Sequence, residues 1–142
     1  MRKIIFLLVI PLLACSQSGP DNPAIKAEIQ TVLDRQKMSW NEGNIEGFMA
    51  YYWNSEHLTF QSGNRRLRGW EKLLSRYREN FSRDGMGILD FTDIEIEVVS
   101  RDFAYVLGRW KVVQKESTDG GLFTLLFRRL DQGWRIVHDH TS

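Results

Sequence analysis

Between Gly87 and Ser142 four β-rich stretches follow one another with no helical period between them: Gly87–Ser100, Asp102–Gln114, Gly121–Leu130 and Gly133–Ser142. Ser100-Arg101-Asp102, Ser117–Gly121 and Asp131-Gln132-Gly133 separate them at hairpin-like lengths, so the C-terminal half predicts an antiparallel sheet. Upstream the period changes. Ile25, Ile29, Val32, Leu33, Gln36 and Trp40 recur at three- and four-residue steps, which predicts a long helix with one stripe turned to a core. Asn22 suits its N-cap before Pro23 at the first helical position, and Gly43 suits a left-handed C-terminal cap. A short helix from Ile45 to about Trp53, a brief strand His57–Gln61 closed by Ser62-Gly63-Asn64, and a third helix from Trp70 to Phe81 fill the middle. Helices first and strands afterwards indicate an α+β domain. Along the second β-rich stretch, Ala104, Val106, Gly108, Trp110 and Val112 share one face, a surface for a helix to pack on. Phe103, Tyr105, Leu107 and Arg109 share the other. That face is apolar enough to need cover, and a homodimer is expected there.

The chain has 142 residues, 42% of them hydrophobic, which fits one globular domain. A net charge of +1 argues against a nucleic-acid partner, whose phosphates demand a basic excess. The lone cysteine forbids an internal disulfide, and its position carries a separate signal. Met1-Arg2-Lys3 precedes a ten-residue apolar run, Ile4 to Leu13, too short to cross a membrane and typical of a secretory signal. Leu12-Leu13-Ala14-Cys15 resembles the bacterial lipobox, which implies cleavage after residue 14 and lipid on Cys15. Residues 15–23, from Cys15 through the polar Ser16–Pro23 segment, then read as a flexible tether, and 24–142 as the domain. Ser16 behind the cysteine resembles outer-membrane sorting in a Gram-negative cell, facing the periplasm. Loss of Arg2 and Lys3 leaves 17 basic against 18 acidic residues.

Gly43-Asn44-Ile45-Glu46-Gly47-Phe48 with Tyr51-Tyr52-Trp53, then Gly108-Arg109-Trp110, then Trp134-Arg135-Ile136-Val137-His138-Asp139-His140-Thr141-Ser142 resemble the NTF2-like superfamily. The nearest group is similar to SnoaL-like, DUF4440-type domains, and the last stretch is similar to the C-terminus of the calcium/calmodulin-dependent kinase association domain. The resemblance spans Ala24 to Ser142. It implies a cone, in which a strongly curved antiparallel sheet wraps the long N-terminal helix and leaves a pocket between them. The implied lining is Gln36, Trp40, Tyr52, Trp53, Phe60, Trp110, Leu125 and Thr141. Such a superfold hosts many activities, so its presence does not name one.

Two chemistries can be tested on these residues. Ketosteroid isomerase needs a titratable base and a tyrosine. The matching positions fall near Gln61 or Ser62 and near Gln36, and neither an amide nor an unaided hydroxyl can do that work. His138, Asp139 and His140 form the sharper cluster. In a strand the two histidines share a face, about 6–7 Å apart, with Asp139 opposite. Proton transfer by these three, helped by Tyr52, is the enzyme alternative. No third ligand completes a metal site, and no cofactor is expected. The arginines of the kinase association pocket fall at Trp110, Leu125 and Thr141, which removes anion binding there and leaves an oily hollow with almost no titratable groups. The favoured reading is a lipid-anchored envelope protein that binds a small apolar ligand or an envelope partner. The third is an assembly module with a closed core. Arg65, Arg66, Arg68, Lys72, Arg76, Arg78 and Arg83, interleaved with acids, read as a solvated helix face.

Overall fold

The computed structural model describes residues 22–81 and 85–142, so the leader, Cys15 and most of the tether lie outside the described residues. Helix α1 spans Pro23–Asn41, and Asn22 Oδ1 accepts the backbone N–H groups of Ala24 and Ile25. Its buried residues are Ile25, Ile29, Val32, Leu33, Gln36 and Trp40, the stripe that the periodicity picks out. Gly43 follows at φ 70°, where a side chain would be strained. Helix α2 is Ile45–Met49, shorter than expected. The chain leaves it because the sheet captures the next residues: Trp53 donates its N–H to the Ile136 carbonyl, and Ile136 donates to that of Tyr51, both at 2.9 Å.

Strand β1 (Thr59–Ser62) turns at Gly63 into β2 (Arg65–Arg68), and helix α3 (Trp70–Asn80) follows. Strand β2 has no apolar alternation to announce it, because it is the sheet edge and three of its four residues are exposed arginines. Strands β3 (Ile88–Ser100), β4 (Phe103–Val113), β5 (Thr118–Leu130) and β6 (Gly133–Thr141) form the antiparallel meander. Among the described residues the strands make one six-stranded sheet in the order β2-β1-β6-β5-β4-β3. It is not antiparallel throughout. Strands β1 and β6 run parallel, with Phe60 opposite Asp139. No turn joins these two strands, so nothing forces them to oppose.

Register shifts curve the sheet, and two of the three among the described strands bear on the site. In β3, Asp93 and Ile94 intervene between the pairs Thr92↔Arg109 and Glu95↔Leu107. Asp93 adopts φ 51°, and its Oδ2 accepts Arg109 Nε at 2.9 Å. In β6, Leu126 pairs with His138 but Phe127 pairs with Ile136, which leaves Val137 as an extra residue. A bulge bends its strand and reverses the inward parity beyond it. Trp134 and Ile136 are buried; past Val137 the inward residues are Asp139 and Thr141, and not His138 or His140.

Helix α1 lies in the concavity so produced, contacting β3 and β6. Ala104, Val106, Phe127 and Ile136 beneath it are fully excluded from water. Each large aliphatic or aromatic side chain so buried contributes about 1.5–3 kcal/mol. Gly108 allows the close approach: a Cβ there would lie 2.4 Å from Phe123 Cζ and 2.7 Å from Ile94 Cδ1. At one end of α1, Glu28 accepts Trp134 Nε1–H at 2.8 Å and pairs with the Arg129 guanidinium, which lies over the Trp134 ring. Phe103, Tyr105, Leu107 and Arg109 stand on the outer face, the first two half-buried and Leu107 39% exposed.

Candidate functional site

Where α1, α2 and α3 stand over the inner face of the sheet, side chains enclose a cavity of about 510 Å³. Its walls are mostly rings. Trp40 meets Phe48, Tyr77 and Phe81 edge-on, with centroids 5.2, 5.9 and 4.9 Å away, and Phe91 meets Phe123 at 5.4 Å. Edge-to-face packing of this kind fixes ring orientation as well as burying area. Trp40 Nε1 donates to the Met86 carbonyl and Gln36 Nε2 to that of Phe48, so the two polar α1 residues are held by main-chain acceptors.

Of the lining residues expected from the sequence, Gln36, Trp40, Tyr52, Phe60, Trp110, Leu125 and Thr141 border this cavity. Trp53 does not. The end of α2 at Met49 leaves residues 51–53 extended along β6, where neighbours point to opposite sides. Tyr52 therefore turns inward, and Trp53 faces a second cleft with Asn54, Trp70 and Arg135, its ring 6.1 Å from that of His57.

Asp139 also borders the cavity and is only 5% exposed. Tyr52 donates its hydroxyl to Asp139 Oδ2 at 2.7 Å, and Oδ1 is buried with no hydrogen-bond partner among the described residues. Burial raises the Asp139 carboxyl from 3.8 to about 7, against the opposing pull of the Tyr52 hydrogen bond. Burial, and after it the Asp139 charge, pushes the Tyr52 phenol well above its usual value, and Tyr77 is raised for the same two reasons. The hollow is thus oily but not chemically empty. It contains a carboxyl that can be neutral or charged near pH 7, backed by two tyrosines that stay protonated.

Of the three residues named for the enzyme alternative, the same bulge turns Asp139 toward the cavity beside Tyr52 and places His138 and His140 away from it. His138 is half-buried, and its Nδ1 shares a hydrogen bond with Thr59 Oγ1 on strand β1. Its pKa is lowered, by burial first and then by the nearby His140 and Arg66 charges. His140 is exposed, as is His57, which lies 3.7 Å from Glu56. Neither His138 nor His140 borders the cavity. Among the described residues no three His, Cys, Asp or Glu side chains converge to hold a metal ion. Gln36 and Ser62, the positions matched to the isomerase tyrosine and base, both border the cavity, and neither is titratable.

Among the lining residues absent from the sequence-based set, Tyr77 and Arg76 are missed for reasons visible here. Tyr77 has the helical spacing of a core residue, and Arg76 sits in a run of arginines that reads as solvated. Both belong to α3, and both reach the cavity.

The family model for the SnoaL-like domain matches residues 29–142. A solved NTF-2-like protein of unknown function from Shewanella oneidensis MR-1 is 35% identical, with a TM-score of 0.80 over 82% of this chain and 98% of that one. An NTF2-like superfamily protein from Salmonella enterica serovar Typhimurium is 19% identical (TM-score 0.68, 84% and 90% covered). A cystatin-like-fold protein of unknown function from Nostoc punctiforme PCC 73102 is 21% identical (TM-score 0.70, 86% and 78% covered). The last two share the fold alone. No curated protein matches. Since the matched region contains the whole sheet, all of α2 and α3 and most of α1, the chain belongs to the SnoaL-like domain family, with the NTF2-like fold.

Proposed function

We propose that the domain binds a small, largely apolar molecule in the aromatic cavity, and that lipid on Cys15 tethers it to the bacterial envelope. The observation that carries the binding reading is Asp139 Oδ1, a buried oxygen without a partner among the described residues, on the wall of a chamber built mostly of rings. Leaving such an atom unmet costs about 1–3 kcal/mol, and a ligand donor placed against it recovers that cost. The volume of about 510 Å³ suits a molecule of two or three rings. The tether rests on Arg2, Lys3, the apolar run and the Leu12–Cys15 motif.

Naphthalene-2-acetamide, neutral and bearing one amide donor, is a direct probe. Saturable quenching of tryptophan fluorescence is expected on titration, since Trp40 and Trp110 both border the cavity. The variant Leu125→Trp fills the chamber and should abolish it. Quenching that fails to saturate, or that survives Leu125→Trp, rejects the cavity as the binding site.

A second reading is favoured by the pKa of Asp139. A general acid–base works best with a pKa near the working pH, and this carboxyl stands at about 7 beside the Tyr52 hydroxyl. In that case Asp139 exchanges a proton with the bound molecule, and Tyr52 stabilises its ionised form. Turnover of any substrate that persists in Asp139→Asn excludes it.

A further inference from the structure

Arg76 projects from α3 to the border of the cavity, half-buried, with its guanidinium carbon 5.5 Å from the Phe60 ring centroid. Among the described residues it has no carboxylate partner. Four basic side chains elsewhere do pair with carboxylates, Lys37 with Asp90, Arg78 with Glu46, Arg109 with Asp93 and Arg129 with Glu28, and among the described residues Arg76 is the one basic side chain on the cavity border. The ring beneath Arg76 belongs to the residue directly opposite Asp139 across the β1–β6 pair. One side of Phe60 thus carries a fixed cation and its strand neighbour carries the buried carboxyl. They do not satisfy each other, because Asp139 takes its hydrogen bond from Tyr52 and keeps Oδ1 free.

A guanidinium lying over a ring has its stem held in place while its N–H edge stays open to a planar acceptor. Kept partly out of water, that edge favours a carboxylate over a neutral group. Asp119 also borders the cavity, so a doubly charged phosphate would meet repulsion that a monoanion meets less.

We propose that the ligand is an organic acid: a carboxylate held by the Arg76 fork, an apolar ring or chain against Trp110, Phe123 and Leu125, and a polar far end hydrogen-bonded to Asp139. This rests on the cavity being the ligand site, and it assigns the chemical class of what enters. The anion contact comes from α3, and not from the Trp110, Leu125 and Thr141 positions where the kinase association domain has its arginines.

The test compares two probes of one shape, naphthalene-2-acetate and naphthalene-2-acetamide, on the full chain in lipid nanodiscs, with empty nanodiscs as the blank. A charge-assisted pair should make the acetate bind about tenfold tighter than the acetamide. In Arg76→Met, which keeps the apolar stem, that advantage should fall to near unity. Equal binding of the two probes by the wild type, or an advantage that survives Arg76→Met, overturns the proposal and leaves the apolar site standing. Binding of neither probe overturns both. Naphthyl 2-phosphate should bind more weakly than the acetate, and tighter binding would transfer the assignment from carboxylates to phosphates.

Discussion

Replacing Asp139 by Asn isolates the cost of a buried carboxyl in an aromatic chamber. The two side chains have nearly one shape, and Asn can still accept the Tyr52 hydroxyl, so packing is conserved and ionisation alone is removed. A carboxyl displaced from 3.8 to about 7 is about 4 kcal/mol harder to ionise inside the fold than in the unfolded chain. The sign follows from proton binding. Between those two values the native state holds a proton that the unfolded state has released, so stability falls as pH rises through the window. The contribution is fully present below pH 3.8 and gone above about pH 7. Glu28 and Glu46 titrate in the opposite sense, their pKa values lowered chiefly by hydrogen bonds from Arg129 and Arg78, but both proteins carry them and they cancel in the comparison. Urea unfolding followed by tryptophan fluorescence from about pH 4 to 9 should therefore show Asp139→Asn gaining on the wild type by about 4 kcal/mol, with the gain levelling off past pH 7. A difference that stays within about 1 kcal/mol across that range would refute the burial argument.

Gly108→Val should lower stability by about 3 kcal/mol, because its side chain must displace Phe123 and Ile94 from contacts already closer than a Cβ tolerates; an unchanged urea midpoint would show that the sheet can flatten there. Cys15→Ala should release the protein from washed membranes into the soluble fraction, and retention in the membrane would reject lipid anchoring through that residue.

The stripe on α1 was legible in the sequence because a helix repeats every 3.6 residues whatever it packs against, and its six buried positions follow from spacing alone. The faces of β4 were legible for the same reason, since this strand pairs with β5 without interruption from Phe103 to Val113. Strand β2 was not. Arg65-Arg66-Leu67-Arg68 has a strand geometry only because β1 offers it a pairing edge, and an edge strand needs no apolar alternation. Trp53 was placed in the cavity by the family resemblance, on an α2 expected to reach it. The Tyr52–Ile136 bridge ends that helix and sends the indole the other way.

The decisive case is β6. Counted by twos from Trp134 and Ile136, the inner residues would be His138 and His140; the bulge at Val137 exchanges them for Asp139 and Thr141. No local rule marks that extra residue, which exists because β6 must follow β5 on one side and β1 on the other around a bent surface. By itself the sequence determined the helical stripe, the meander of strands and the family pattern, since each depends on repeats within a single segment or on motif residues. Which side chains meet in the cavity was decided only by the tertiary structure: bulges reset parity, and contacts between distant segments select what is buried. Asp139 acquires its raised pKa from that enclosure, and Arg76 its place at the cavity border from the docking of α3.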